Sequence, residues 1–183
     1  MLTGKEILSG NLKVNGNKDK RIFFLNLILQ IKLTIVENKN IVIAADHAGY
    51  HLKEKLKFFL IKEKFNVRDL GTDSDESVDY PDYGHMLAEE VKKGEYLAGI
   101  SICGSGNGMN MTANKHQGIR SALCWDEQSG RLAKEHNDAN ICALPARFIT
   151  DAEAFLIVKT FLNASFKGGR HKRRIDKISL KLY

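Results

Sequence analysis

Ile100-Ser101-Ile102-Cys103-Gly104-Ser105-Gly106-Asn107-Gly108-Met109-Asn110-Met111-Thr112-Ala113-Asn114 decides how the rest of the chain is read. An apolar run from Leu97 to Ile102 stops at Cys103, three glycines alternate with short polar residues, and helix-compatible residues follow. A strand that empties through glycines into a helix leaves backbone N–H groups aimed outward, an arrangement suited to an anion. Cys103 closes the strand, so a thiol sits at the lip of that turn, where the positive end of the next helix favours a thiolate nucleophile or base. Amides of Gly104, Ser105, Gly106 and Gly108 can form a nest for a developing oxyanion. On spacing alone, such a glycine loop also fits a nucleotide phosphate.

Working outward, strands and helices alternate. Asn40–Ala45 is a β-branched run, followed by a helix with Leu52, Leu56, Phe59 and Leu60 on one face and lysines and glutamates on the other. Phe65–Leu70 reads as the second strand, a polar loop covers 72–79, and Tyr83–Lys93 reads as a helix. The opening stretch supplies the third strand. Ile119–Trp125 and Asn140–Leu144 read as the fourth and fifth, with a helix from Asp126 to His136 between them. Asp151 is a candidate N-cap for a helix through Leu162, and a basic helix runs from Arg170 to about Leu180. Strands that are apolar throughout belong to a parallel sheet covered on both faces. The expected fold is a three-layer, doubly wound, Rossmann-like α/β domain with a five-stranded parallel sheet and a C-terminal basic helix.

The boundaries follow from a change of pattern at Lys39. Residues 1–38 read as an N-terminal extension, disordered or upstream of the true start, and residues 39–183 as the functional domain. The apolar patch Ile22–Ile31 is interrupted by Asn26 and Gln30 and lacks a small-residue cleavage site, so it makes a poor signal peptide, and it is too short to span a membrane. A net charge of +6 raises nucleic acid as a partner, but the excess sits at the two ends rather than along one face, so neither nucleic acid nor membrane is expected. Cys103, Cys124 and Cys142 are odd in number and widely spaced, which points to a reducing, cytoplasmic compartment. Cys124 and Cys142 read as small buried apolar residues.

In a doubly wound fold, ligands bind outside the carboxyl ends of the strands. That rim collects Asp46 and His47 after the first strand, Cys103 to Gly108 after the third, and Arg147 after the fifth. His47 and His51 stand four apart, but no third ligand accompanies them and no metal is expected. His136 and Asn137 close a helix, and Arg170 and Arg174 share a helix face at a spacing able to clamp a phosphate. A thiolate base, an oxyanion nest, histidines and two arginines suit a cofactor-free proton transfer beside the carbonyl of a small sugar phosphate.

Several motifs carry a resemblance: Asp46-His47-Ala48-Gly49, Asp79-Tyr80-Pro81, Cys103 to Gly108, Ala113-Asn114-Lys115, Gly118-Ile119-Arg120, His136 to Asn140 and Gly168 to His171. In register over Lys39 to Ile178, the chain resembles the type B ribose-5-phosphate isomerases, whose family includes the galactose-6-phosphate isomerase subunits. The resemblance implies interconversion of D-ribose 5-phosphate and D-ribulose 5-phosphate through a cis-enediolate, in the non-oxidative pentose phosphate pathway, without cofactor or metal. It makes Cys103 the base, the Gly104–Gly108 loop with Ser105 and Asn107 the holder of the enediolate, and His136 the proton donor in ring opening. Asp46, His47, Asn137 and Arg147 would contact the sugar, and Arg170 with Arg174 the phosphate. Family members are homodimers with shared sites, so His136, Asn137 and the arginines would come from the partner subunit; a tetramer stays open, as does a six-carbon substrate. Some members replace the cysteine by a glutamate just after the loop; here that position is Met109, which implies the cysteine mechanism.

Overall fold

The β-branched run of β1 (Asn40–Ala45) forms the middle of the molecule because both of its faces are covered: after Asn40, every residue of it is buried. The computed structural model describes Ile22 and residues 38–179. The extension expected over residues 1–38 lies outside the described residues apart from Ile22 and Asn38. Around β1 stand β2 (Asn66–Asp69), β3 (Ala98–Cys103), β4 (Ser121–Leu123) and β5 (Ile141–Pro145), all parallel, in the order β2-β1-β3-β5-β4. The helices are α1 (Tyr50–Lys62), α2 (Tyr80–Lys92), α3 (Asn107–Ala113), α4 (Glu127–Asn137), α5 (Asp151–Asn163) and α6 (Arg170–Ile175). This is the expected doubly wound architecture.

Alternation along β1 divides the core. Ile41, Ile43 and Ala45 pack in one cluster with Leu52, Leu56 and Leu60 of α1 and with Ile157, Val158 and Phe161 of α5. Val42 and Ala44 join Leu87 and Val91 of α2 and Met109 and Ala113 of α3 in the other. Between β1 and β3 the winding reverses, since the chain leaves β1 for β2 on one side and enters β3 on the other. Connections therefore diverge above the carboxyl ends of these two strands and leave a crevice. The registers Ala45 with Ile102 and Cys103 with Pro145 bring the exits of β1, β3 and β5 to one level.

Several expected ends move, each for a local reason. Helix α2 starts at Tyr80 rather than Tyr83 because Pro81 sits in its first turn, where its fixed φ and missing N–H cost nothing. Helix α5 is capped by Thr150, not Asp151: Thr150 Oγ1 accepts from Glu153 N at 3.3 Å and the Glu153 carboxylate accepts from Thr150 N at 2.7 Å. That reciprocal pair is a capping box. Strand β4 is three residues long, not seven; it is an edge strand, and its approach is bound by side chains, Arg120 N donating to Asn140 Oδ1 and Ser121 N to Asn114 Oδ1. Helix α6 stops at Ile175, since only His171 of its residues is buried and so short a polar segment has little packing to extend it.

Lys53 departs from the solvated face expected of the lysines on α1: it is fully buried. Its Nζ lies 2.5 Å from Asp69 Oδ2 and 2.7 Å from Glu54 Oε1, and Lys57 Nζ reaches the same Asp69 oxygen at 2.5 Å. Burial pushes the Asp69 carboxyl up, but hydrogen bonds from Lys53, Lys57 and the Gly71 amide outweigh it and hold the group below the usual aspartate value. A carboxyl depressed in the folded state stabilises above its unfolded value, and that stability is lost as pH falls through the folded value. Asp69→Asn should cost about 2–3 kcal/mol at pH 7 and flatten the loss of stability below about pH 4, measured by urea unfolding across pH.

Gly49 marks the closest approach of α1 to the sheet. A Cβ there would lie 2.5 Å from the carbonyl oxygen of Ile102 and 2.8 Å from its carbon, backbone that cannot rotate aside. Gly49→Ala should lower stability by about 2–3 kcal/mol in urea denaturation.

Candidate active site

The crevice above β1 and β3 is a cleft of about 380 Å³. Asp46 leaves β1 with its N–H donating to Ile102 O at 3.1 Å, and its Oδ1 accepts from Gly49 N at 3.0 Å. The carboxylate is thus fixed, nearly buried, in the turn into α1. His47 follows and turns Nδ1 to the backbone of Val78, 3.2 Å from its oxygen and 3.3 Å from its nitrogen. The imidazole can donate to the first or accept from the second, according to its tautomer, so Val78 orients the ring in either form.

Cys103 ends β3 with 4% of its surface exposed, and it lines the cleft. Its carbonyl accepts from Gly106 N at 3.3 Å and Ala146 N at 3.0 Å, while Gly104 O accepts from Arg147 N at 3.0 Å. The exit of β5 is thereby hooked to the glycine loop. A Cβ on Gly104 would lie 3.3 Å from Arg147 Nε, so the guanidinium arm runs directly past the loop. Gly106 caps α3 in the left-handed region, with φ 74°, where a side chain would also strike Leu123, 2.3 Å away.

The loop divides its amides. Gly106 N is spent inside the turn and Asn107 N donates to Ser105 Oγ at 3.4 Å. Of the four amides expected in the nest, that of Gly106 is engaged in the turn, and Gly104, Ser105 and Gly108 line the cleft. Neither Gly106 nor Asn107 lines the cleft.

Asp46, His47, Cys103, Gly104, Ser105, Gly108 and Arg147 of the expected site residues meet in this cleft; His136, Asn137, Arg170 and Arg174 do not. They occupy a second cluster where α4 ends against α6. His136 stacks on His171, ring centroids 4.2 Å apart and planes 10° from parallel. Arg170 Nε approaches His171 Nε2 at 3.5 Å, and both Arg170 and Arg174 are exposed. Lys167 is tied to α4 through its N–H to Glu135 O at 2.9 Å and its Nζ to Glu135 Oε2 at 2.7 Å. Burial first, and then the positive charge of His136, Arg170, Arg174 and Lys167, push His171 below the usual histidine value. Asn137 is exposed, with its carbonyl accepting from Arg120 Nε at 2.9 Å.

Three residues of these clusters were not among those expected. Tyr80 walls the cleft with its ring over Gly108, where a Cβ would lie 2.7 Å from a ring carbon. Phe148 lines the other side although it is 75% exposed. His171 lies under His136. A run of aromatic and basic residues carries no periodic signal for such placements, but Tyr80 beside the helix-starting Pro81 and Phe148 just past a strand end both lie where loops face a rim.

His51 Nε2 pairs with Asp75 at 3.3 Å, away from His47 Nδ1 and its Val78 partner. Among the described residues no three His, Cys, Asp or Glu side chains are grouped to hold a metal ion. Cys124 and Cys142 are core residues, and the hydrogen bond that the Cys142 thiol donates to Cys124, with burial, pushes it well above the usual value. Among the described residues no helix is long and apolar enough to cross a membrane.

The chain is similar to known proteins over most of its length. The model of the ribose/galactose isomerase family matches residues 41–178. The probable ribose-5-phosphate isomerase B of Mycoplasma genitalium is 48% identical over 141 residues, 76% of this chain and 93% of the relative. A crystal structure of a ribose 5-phosphate isomerase from Thermotoga maritima superposes with a TM-score of 0.75 at 50% identity, covering 76% of this chain and 96% of the other. The Mycoplasma genitalium ribose-5-phosphate isomerase B solved with bound ribulose-5-phosphate superposes with a TM-score of 0.73 at 47% identity, covering 76% and 93%.

Proposed function

The chain belongs to the ribose/galactose isomerase family, and from that premise we propose that this enzyme interconverts D-ribose 5-phosphate and D-ribulose 5-phosphate, without metal or cofactor. The observation that carries the reading is that Cys103 lines one cleft together with the glycine loop, Asp46, His47 and Arg147. That is where a base, an oxyanion holder and hydroxyl-binding groups are wanted for proton transfer next to a carbonyl.

The Cys103 thiolate takes the C2 proton of the open-chain aldose. Negative charge spreads over O1 and O2 of a cis-enediolate, held by the amides of Gly104, Ser105 and Gly108 and by the Ser105 hydroxyl. The thiol returns the proton to C1 while a proton passes from O2 to O1, and the ketose results. Amides already fixed by the turn need no reorganisation as the charge develops. Asp46 and Arg147, both tied to the loop framework through backbone bonds, position sugar hydroxyls. His47 joins them from a ring held by Val78.

The phosphate needs cations, and within one chain the exposed pair Arg170 and Arg174 stands with His136 and Asn137 in the second cluster. We infer that two copies pair so that this cluster closes the partner's cleft, His136 protonating the ring oxygen and the arginines taking the phosphate. The two halves are chemically complementary: one holds the base, the other the positive charge. Localisation in the cytoplasm accords with the three free cysteines.

Assay of purified protein against five- and six-carbon aldose phosphates should give turnover with ribose 5-phosphate in preference to the six-carbon compounds. Cys103→Ala should lower kcat at least about 10³-fold while leaving ribose 5-phosphate binding within a few-fold. An active Cys103→Ala enzyme, or a preference for a six-carbon substrate, would refute the assignment.

A further inference from the structure

Helix α2 carries His85 and Glu89 four residues apart, hence on one face. His116 arrives beside them from the turn after α3. Glu89 Oε1 lies 2.8 Å from His116 Nδ1, and His116 Nε2 lies 2.8 Å from His85 Nδ1, with the two rings 5.1 Å apart and inclined at 62°. A carboxylate only accepts, so the His116 proton sits on Nδ1 and its Nε2 presents a lone pair; His85 Nδ1 supplies the proton between the rings. None of the three lines the cleft, and the isomerisation has no use for them.

Two imidazole nitrogens facing each other, one oriented from behind by a carboxylate, are also the parts of a metal site, in which a carboxylate fixes the tautomer of a ligating histidine. Imidazole nitrogens bound at about 2.0–2.1 Å to one Zn²⁺ stand roughly 2.9–3.4 Å apart for angles between square and tetrahedral. The observed 2.8 Å therefore needs to open by a few tenths of an ångström, with each ring turning until its lone pair points at the ion rather than at the other nitrogen. His85 is exposed while the His116 side chain is 15% exposed, so one ligand is anchored and the other is free to adjust, with solvent at hand for the remaining positions. The nearest competing cation at Glu89, Lys92 Nζ, stays 3.9 Å off.

We propose that His85 Nδ1 and His116 Nε2 bind an imidazole-preferring divalent cation such as Zn²⁺, with Glu89 as the group that orients His116. The ion takes the place of the shared proton, which His85 then carries on Nε2, and ties α2, whose first residue is Tyr80, to the segment after α3, which starts from the glycine loop. Its coordination is completed by water, so it is a two-histidine site of modest affinity. The contrast with His47 and His51 is geometric: those rings turn to Val78 and Asp75, and these two face each other.

The test is a calorimetric titration of the full, tag-free chain with Zn²⁺. Wild type should take one ion per chain; His85→Ala and His116→Ala should each weaken it at least tenfold, and Glu89→Gln about tenfold. Cys103→Ala should bind as wild type, since the thiol is not a ligand. In wild type itself, long-range ¹H–¹⁵N spectra should show His85 Nδ1 and His116 Nε2 moving on Zn²⁺ addition while the His47 and His136 nitrogens stay put. Absence of binding at millimolar Zn²⁺, binding unchanged in either histidine variant, or ¹⁵N shifts confined to other histidines would each overturn the proposal.

Discussion

The pairing of β1 with β3 is the constraint from which the rest of the molecule follows. These two strands are adjacent in the sheet though separated by β2 in the chain, and the reversal of winding between them opens the cleft. It also sets the level of Asp46, whose N–H is bound to Ile102 O, against Cys103 one residue further along β3. Gly49 is required for the same reason, because α1 must start within contact of the Ile102 carbonyl. The backbone hooks from Gly106 and Ala146 to Cys103 O, and from Arg147 to Gly104 O, then fasten β5 to the loop. Fold and site are thus one set of hydrogen bonds: loosening any of them moves a candidate catalytic group.

The distribution of charge extends that logic. The cleft is lined by one arginine, Arg147, and by the carboxylate of Asp46, which suits hydroxyls and an enediolate better than a dianionic phosphate. Positive charge gathers instead at α6, where Arg170, Arg174 and Lys167 all act on His171, which stacks on His136. His171, held below the usual histidine value, lies flat against His136. Under the proposed pairing, phosphate binding anchors the far end of the substrate and proton transfer proceeds at the near end, in a water-poor cleft closed by another subunit.

Much of this was legible in the residues. β1 and β3 declare themselves because strands buried on both faces are almost continuously apolar, Ser101 being the one polar residue buried within them, and Cys103 with its glycines stands out because no other strand end has such a loop. Strand β4 is shorter than its hydropathy suggests because Asn114 and Asn140 take over backbone donors at its start, and α6 is shorter because only His171 of its residues is buried. The buried Lys53 was misread as a surface lysine because its compensation by Asp69 comes from sixteen residues further on. Tyr80, Phe148 and the His85–His116 contact rest on tertiary proximity, for which one sequence offers no periodic sign. The division of the expected site into two clusters followed from the family resemblance and not from the pattern of residues.

Complementation between inactive subunits tests the central claim, that one active site takes its base from the cleft of one chain and its cations and ring-opening histidine from another. Cys103→Ala and His136→Ala proteins, each purified inactive, are mixed, unfolded and refolded together, and isomerisation of ribose 5-phosphate is measured. A shared site leaves one intact site in each mixed dimer, so random pairing should restore roughly a quarter of wild-type activity. A mixture as inactive as its components, with mixed dimers shown to form, would contradict the account.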